Sequence, residues 1–174
     1  MSDQAPSPEA EAGRGLGVAY AYLNKRERTE AEVRARLERA ELRAGEIELV
    51  IAELLELGYL DDARYARVFT QDKRSLESWG NARIARVLRE RGVAGELIEA
   101  ALAEAGLEPG SELERAVALL GQRFPAGPAD RRDRERAFGA LARKGYESET
   151  AADAVREWAR GGPVRSGLHA PAAR

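Results

Sequence analysis

The feature that most limits what this chain can fold into is an apolar stripe that returns about every fifty residues. In EIELVIAELLELG, residues Ile47, Val50, Ile51, Leu54 and Leu55 follow the i, i+3, i+4, i+7, i+8 spacing of one helix face. The same register returns as Ile98, Ala101, Leu102 and Ala105 in ELIEAALAEAG, and as Ala151, Ala154, Val155 and Trp158 in TAADAVREW. A stripe of that width cannot stay exposed to water. It has to be covered by helices of its own unit and by the neighbouring copies.

The segment ahead of each stripe repeats as well. Leu37 with Leu42, Leu88 with Val93, and Leu141 with Tyr146 form apolar pairs in RLERAEL, VLRERGV and ALARKGY. If each helix ends just after the first member, Gly92 and Gly145 fall at the left-handed C′ position, and the following apolar residue reaches back onto the last turn. In the first copy Glu41 stands in the glycine's place, so that cap is expected to be weaker or differently shaped. Thr29 and Glu32 in TEAE form a capping box that opens the first of these middle helices. The later two open near WGNARIARVL and near ADRRDRERAFGAL. A leading helix precedes each pair, at roughly 16–27, 62–77 and 111–123. No segment alternates apolar and polar over a strand's length. The expected fold is therefore all-α: a tandem array of three three-helix repeats, 16–60, 61–107 and 108–160, elongated and curved, between disordered tails 1–15 and 161–174.

The paired carboxylates of LGYLDDARYA are the most obvious candidate for chemistry, and each has a structural role in this scheme. Gly58 ends one helix in the left-handed conformation. Asp61 caps the next, and Asp62 sits in its first turn, where the helix dipole favours negative charge. Leu60 and Tyr65 stand at the two ends of a hydrophobic staple. No further carboxylate or histidine lies at ligand spacing, so neither a metal nor a catalytic role is assigned.

Composition removes most enzyme classes. Cysteine is absent, and the single histidine, His169, lies in the Pro- and Gly-containing tail. That speaks against disulfides, thiolate chemistry, histidine-based catalysis and zinc. No phosphate-binding, dinucleotide-binding or HExxH motif occurs, so no cofactor is expected. No apolar run approaches the roughly 18 residues of a membrane span, and the N-terminus carries no basic-then-apolar signal, so a cytoplasmic protein is expected.

The formal net charge of −2 argues against coating DNA by bulk electrostatics, yet leaves room for local basic faces. The candidate contacts are Arg26, Arg28 and Arg36 in the first repeat, Lys73, Arg74, Arg83 and Arg86 in the second, and Arg143 and Lys144 in the third. Many arginines alternate with glutamate at helical spacing, the pattern of a solvated, ion-paired face. The sharper reading is a set of basic edges that meet an acidic protein or a nucleic acid. Trp79 and Trp158 fit the core better than a stacking platform.

The segments RTEAEVRARL (28–37), GYLDDARYA (58–66), WGNARIARVLRERGV (79–93) and RAFGALARKGY (136–146) resemble the RecX family, the bacterial regulators of the RecA recombinase. The resemblance spans about 16–160 and implies a tandem array of three-helix repeats, in agreement with the periodicity. It also implies a non-enzymatic protein that binds RecA and its nucleoprotein filament, with the DNA inside that filament as a further contact. Inhibition of ATP hydrolysis, strand exchange and co-protease activity would follow, and with it tuning of recombinational repair and the SOS response. A monomer is expected. The alternative is a helical module that binds nucleic acid directly through its arginine faces.

Overall fold

The structure is a computed structural model and describes residues 8–106 and 111–161, with side chains from residue 13 onward. The expected tail at 161–174 and the start of the tail at 1–15 lie outside the described residues, apart from Gly161 at the boundary. Among the described residues there are nine α-helices and no strand. They run α1 (Pro8–Leu23), α2 (Glu30–Glu38), α3 (Ala44–Glu56), α4 (Asp62–Ser75), α5 (Asn81–Glu90), α6 (Gly95–Ala105), α7 (Glu112–Arg123), α8 (Arg131–Lys144) and α9 (Ser148–Ala159). They form three successive triplets, as the periodicity requires. Helix α1 starts at Pro8 and ends at Leu23, earlier at both ends than the expected 16–27, so residues 8–15 belong to a helix.

The chain packs as two compact units, Met1–Phe69 with Val87–Ala101, and Thr70–Arg86 with Leu102–Arg174. The division passes through α4, α5 and α6, so the middle triplet contributes to both. In the first unit the core gathers Ala19, Val33, Leu37, Leu42, Ile47, Val50, Ile51, Leu54 and Leu60. In the second it gathers Ala116, Val117, Leu120, Ala137, Leu141, Tyr146, Ala151, Ala154, Val155 and Trp158. Each fully buried Leu or Ile in these clusters contributes on the order of 1.5–3 kcal/mol. Leu55, read as part of the buried stripe, is 45% exposed. It lies at the edge of the α3 face, and Leu49, Leu57 and Tyr59 are exposed beside it.

The helix ends follow the capping chemistry. Gly58, Gly92 and Gly145 all have positive φ, at 71°, 79° and 85°. Each closes a Schellman motif: Tyr59 N donates to Leu54 O at 2.9 Å, Val93 N to Leu88 O at 3.1 Å, and Tyr146 N to Leu141 O at 3.2 Å. Glu41 adopts the same left-handed conformation at φ 61°. Its closing bond, Leu42 N to Leu37 O, is 3.4 Å, the longest of the four. The cap is thus the same shape and weaker, because a residue with a Cβ is held where glycine fits without strain.

Candidate functional site

The joints between successive repeats are built on one plan. Thr29 is the N-cap of α2 and fully buried. Its hydroxyl accepts from Glu32 N at 3.2 Å and donates to the Arg91 carbonyl at 2.6 Å, so the capping box that opens α2 also ties down the end of α5. Gly92 follows, and a Cβ there would overlap the Ala31 methyl. The first residue of α4 closes the arrangement: Asp62 Oδ1 accepts from Glu30 N at 2.9 Å and satisfies a free donor at the start of α2. Asp61 Oδ1 meanwhile accepts from Arg64 N at 2.8 Å, capping its own helix as expected. Burial pushes the Asp62 carboxyl above the usual aspartate range, against the pull of the Glu30 N–H, and the nearby Glu30, Asp61 and Glu32 charges push the same way as burial. All of this lies within the first unit.

Within the second unit the plan recurs one repeat later. Gly80 is the residue before α5, and its N–H donates to the Lys144 carbonyl at 2.9 Å, at the end of α8. Glu112, the first residue of α7, accepts from Asn81 N and from Asn81 Nδ2, both at 2.8 Å. Gly145 abuts Arg83 so closely that a Cβ there would stand 2.8 Å from the Arg83 amide nitrogen.

This second joint gathers several of the expected contact residues. Arg83 lies over the buried Trp79 ring with its guanidinium carbon 3.9 Å from the ring centroid, and Lys73 approaches the same ring at 5.1 Å. Arg83 also donates to the Arg143 carbonyl at 3.1 Å, and Lys144 Nζ to the Glu77 carbonyl at 2.6 Å. Lys73 pairs with Glu77 and holds that carboxyl below its usual range. Arg143 and Arg86 are exposed. Lys73, Arg83 and Lys144 therefore share one neighbourhood, their charged ends held by ring, carboxylate and backbone contacts, and the exposed Arg143 joins it through its main-chain carbonyl. Arg74 does not belong to the surface: it is 8% exposed, and its guanidinium donates to Asn81 Oδ1 at 2.8 Å and Leu102 O at 3.2 Å. Facing the interior at the end of α4, it is no part of a surface that could meet a macromolecular partner.

Arg26, Arg28 and Arg36 lie in the first unit. Arg26 pairs with Glu32 at 2.6 Å, and Arg28 stacks on Tyr22 at 3.9 Å and approaches Glu32 at 3.5 Å. Arg36 lines an open groove of about 420 Å³ with Arg14, Lys25, Val18 and Tyr22. Three cations face this groove, and no carboxylate is among its lining residues. Among the described residues no cluster of His, Asp and Glu has the makings of a metal site, and no helix is long and apolar enough to cross a membrane.

A family model described as RecX, second three-helix domain, matches residues 61–102, the span from Asp61 through most of α6. The regulatory protein RecX of Trichlorobacter lovleyi is 37% identical over 120 residues, which cover 67% of this chain and 77% of that protein. The chain belongs to the RecX family. The regulatory protein RecX of Deinococcus radiodurans is also 37% identical, over 125 residues that cover 72% of this chain and 58% of the longer relative. The crystal structure of RecX from Lactobacillus salivarius superimposes with a TM-score of 0.73 over 86% of this chain and 97% of that one, at 22% identity, which speaks for the fold. The matched span holds Asp61, Asp62, Gly80 and Gly92, so the segment recognised as characteristic of the RecX family includes the parts of both joints that the middle repeat supplies.

Proposed function

We propose that this chain is a non-enzymatic regulator that binds the RecA recombinase and its filament on DNA. It lowers RecA's ATP hydrolysis, strand exchange and co-protease activity, and so tunes recombinational repair and the SOS response. The observation that carries the reading is kinship with a protein named as a regulator, along 77% of that protein's length. The surface at the second joint supports it: Lys73, Arg83 and Lys144 are held close together by ring and backbone contacts, with the exposed Arg143 beside them, a concentration of positive charge suited to carboxylates of a partner. Arg86 extends that surface, and Arg26, Arg28 and Arg36 supply a second contact. Weak contacts at two places on one chain reinforce each other through effective concentration. Regulation then follows from unequal affinity for two states of the filament. In this reading the protein works as a monomer in the cytoplasm.

The test is the ATPase rate of RecA from the same source on single-stranded DNA, with the purified chain added from substoichiometric to stoichiometric ratios. The expected result is a falling rate and a shorter filament lifetime. An unchanged rate and lifetime across that range would overturn the proposal.

The groove of Arg14, Lys25 and Arg36 favours a second reading, direct binding to nucleic acid. It requires DNA binding without RecA, weakening steeply as salt is raised. A signal that is absent, or flat in salt, removes it.

A further inference from the structure

A cavity of about 150 Å³ in the second unit is lined by Arg74, Ser78, Arg115, Gln122 and Tyr146, with Ala118 and Leu119 at its side. Tyr146 is 4% exposed, and its hydroxyl has no hydrogen-bond partner in the structure. A buried hydroxyl left in that state costs on the order of 1–3 kcal/mol unless something in the cavity meets it. Burial pushes the Tyr146 phenol up, Arg115 and Arg74 pull it down, and the Glu112 carboxylate, which is not among the lining residues, pushes it up. Ser78 is held with φ at 53°, a left-handed conformation rare outside glycine, on the cavity wall. Two guanidiniums, a phenol, a hydroxyl and an amide around a small space form a donor set for a group with several anionic oxygens. The volume is below the roughly 300 Å³ at which cofactor-sized pockets begin, yet holds several times the roughly 30 Å³ of one water. It has room for one tetrahedral group.

We propose that the second unit carries a binding site for a single oxyanion of the phosphate class, held by Arg74, Arg115 and the Tyr146 hydroxyl. The phosphate is either the free ion or the terminal phosphate of an oligonucleotide. Arg74 is fixed through its Asn81 and Leu102 bonds, and the half-buried Arg115 is supplied by α7.

The test titrates inorganic phosphate into the full-length chain at constant ionic strength, with chloride as the control, following heat and melting temperature. Saturable binding at one site per chain is expected, with a rise in melting temperature that chloride does not reproduce. Arg115→Gln should weaken the binding roughly tenfold, the worth of one charge-assisted contact. Tyr146→Phe keeps the ring in the core and should weaken it by a smaller factor, with an unchanged helical circular dichroism spectrum. A short oligonucleotide that displaces phosphate only when 5′-phosphorylated supports the site with a nucleic-acid end as the source, and failure of both forms to displace it supports the free ion. No saturable binding, an equal response to chloride, or unchanged affinity in both variants would overturn the proposal.

Discussion

The two joints between repeats make the same connection with different atoms. In the first, a side chain reaches out: the Thr29 hydroxyl bonds the carbonyl before Gly92. In the second, the main chain itself does so: the Gly80 amide bonds the carbonyl before Gly145. The N-cap position of the middle helix serves both times, and a carboxylate on the first residue of the following helix, Asp62 or Glu112, completes both. The lesson is that a repeat architecture preserves the donor and acceptor positions while leaving the chemical means open. The side-chain version is sensitive to losing a hydroxyl. The main-chain version is sensitive to gaining a carbon, and it lets two backbones come closer. The close version is also the one that carries Trp79 and the clustered cations.

The largest expected effect breaks the second joint alone. A Cβ at Gly80 would stand 2.5 Å from both the carbonyl carbon of Gly145 and the amide nitrogen of Tyr146, and closer still to the Gly145 oxygen. All three are backbone atoms that no rotamer change can move aside. Gly80→Ala should cost about 3 kcal/mol, at the upper end of overpacking. Gly58→Ala is the control: its Cβ meets nothing within 4 Å, so only the left-handed strain of roughly 1–2 kcal/mol remains. Urea unfolding of the two variants, followed by circular dichroism, measures the difference. Equal losses would mean that close approach is not what distinguishes the second joint.

At the first joint the corresponding break is Thr29→Val, which keeps the shape and removes the hydroxyl. The Arg91 carbonyl and the Glu32 amide both lose a partner in a buried setting. A loss of about 2 kcal/mol is expected, measured in the same unfolding experiment. Thr29→Ser, which retains the hydroxyl, should recover most of it.

Much of this was legible in the chain. The threefold stripe, the glycine caps and the Thr29 to Glu32 box all depend on residues a few positions apart, and short-range geometry carries them. What could not be read has its partner far away in the sequence. Asp62 looks like a first-turn carboxylate, yet the donor it serves lies 32 residues earlier. Glu112 serves one 31 residues earlier. Gly80 reads as part of a helix start in WGN, and only its packing against Gly145 explains why it has no side chain. Arg74 and Arg83 are the same residue type nine positions apart along the sequence. One is buried against the Leu102 carbonyl and the other lies on an indole ring, and burial of that kind is decided by tertiary neighbours. Leu55 fits the spacing of the α3 stripe yet is exposed, because periodicity marks the centre of a stripe better than its edge.

Asp62 sharpens the comparison through pH. Asp62→Ala leaves the Glu30 amide without its acceptor and should cost about 1 kcal/mol, whereas Asp62→Asn keeps a carbonyl oxygen there and should cost less. Because burial raises the Asp62 pKa in the folded state, the folded chain holds this proton after the unfolded chain has released it. Stability contributed at Asp62 therefore falls as pH rises from the ordinary aspartate value of 3.8 through the raised folded-state value. Asn carries no such slope, so Asp62→Asn should gain on the parent chain across that interval. Melting temperatures of both proteins as a function of pH test this, and parallel curves would remove the burial argument.

The smallest expected effect is a gain. The four Schellman caps differ in one residue, Glu41, which holds φ at 61° where the others have glycine, and which closes with the longest bond. Replacing it removes the left-handed strain on a Cβ, roughly 1–2 kcal/mol. It also adds the conformational freedom of glycine to the unfolded chain, roughly 0.4–1 kcal/mol in the other direction. Strain is the larger quantity, so Glu41→Gly should stabilise the first repeat by about 0.5 kcal/mol, read as a higher urea midpoint at unchanged slope. Gly92→Glu in the second repeat is the reciprocal exchange, and it should lose far more than Glu41→Gly gains. A Cβ at residue 92 overlaps the Ala31 methyl, so the position that tolerates glutamate in the first repeat is closed to it in the second by the joint that passes beneath.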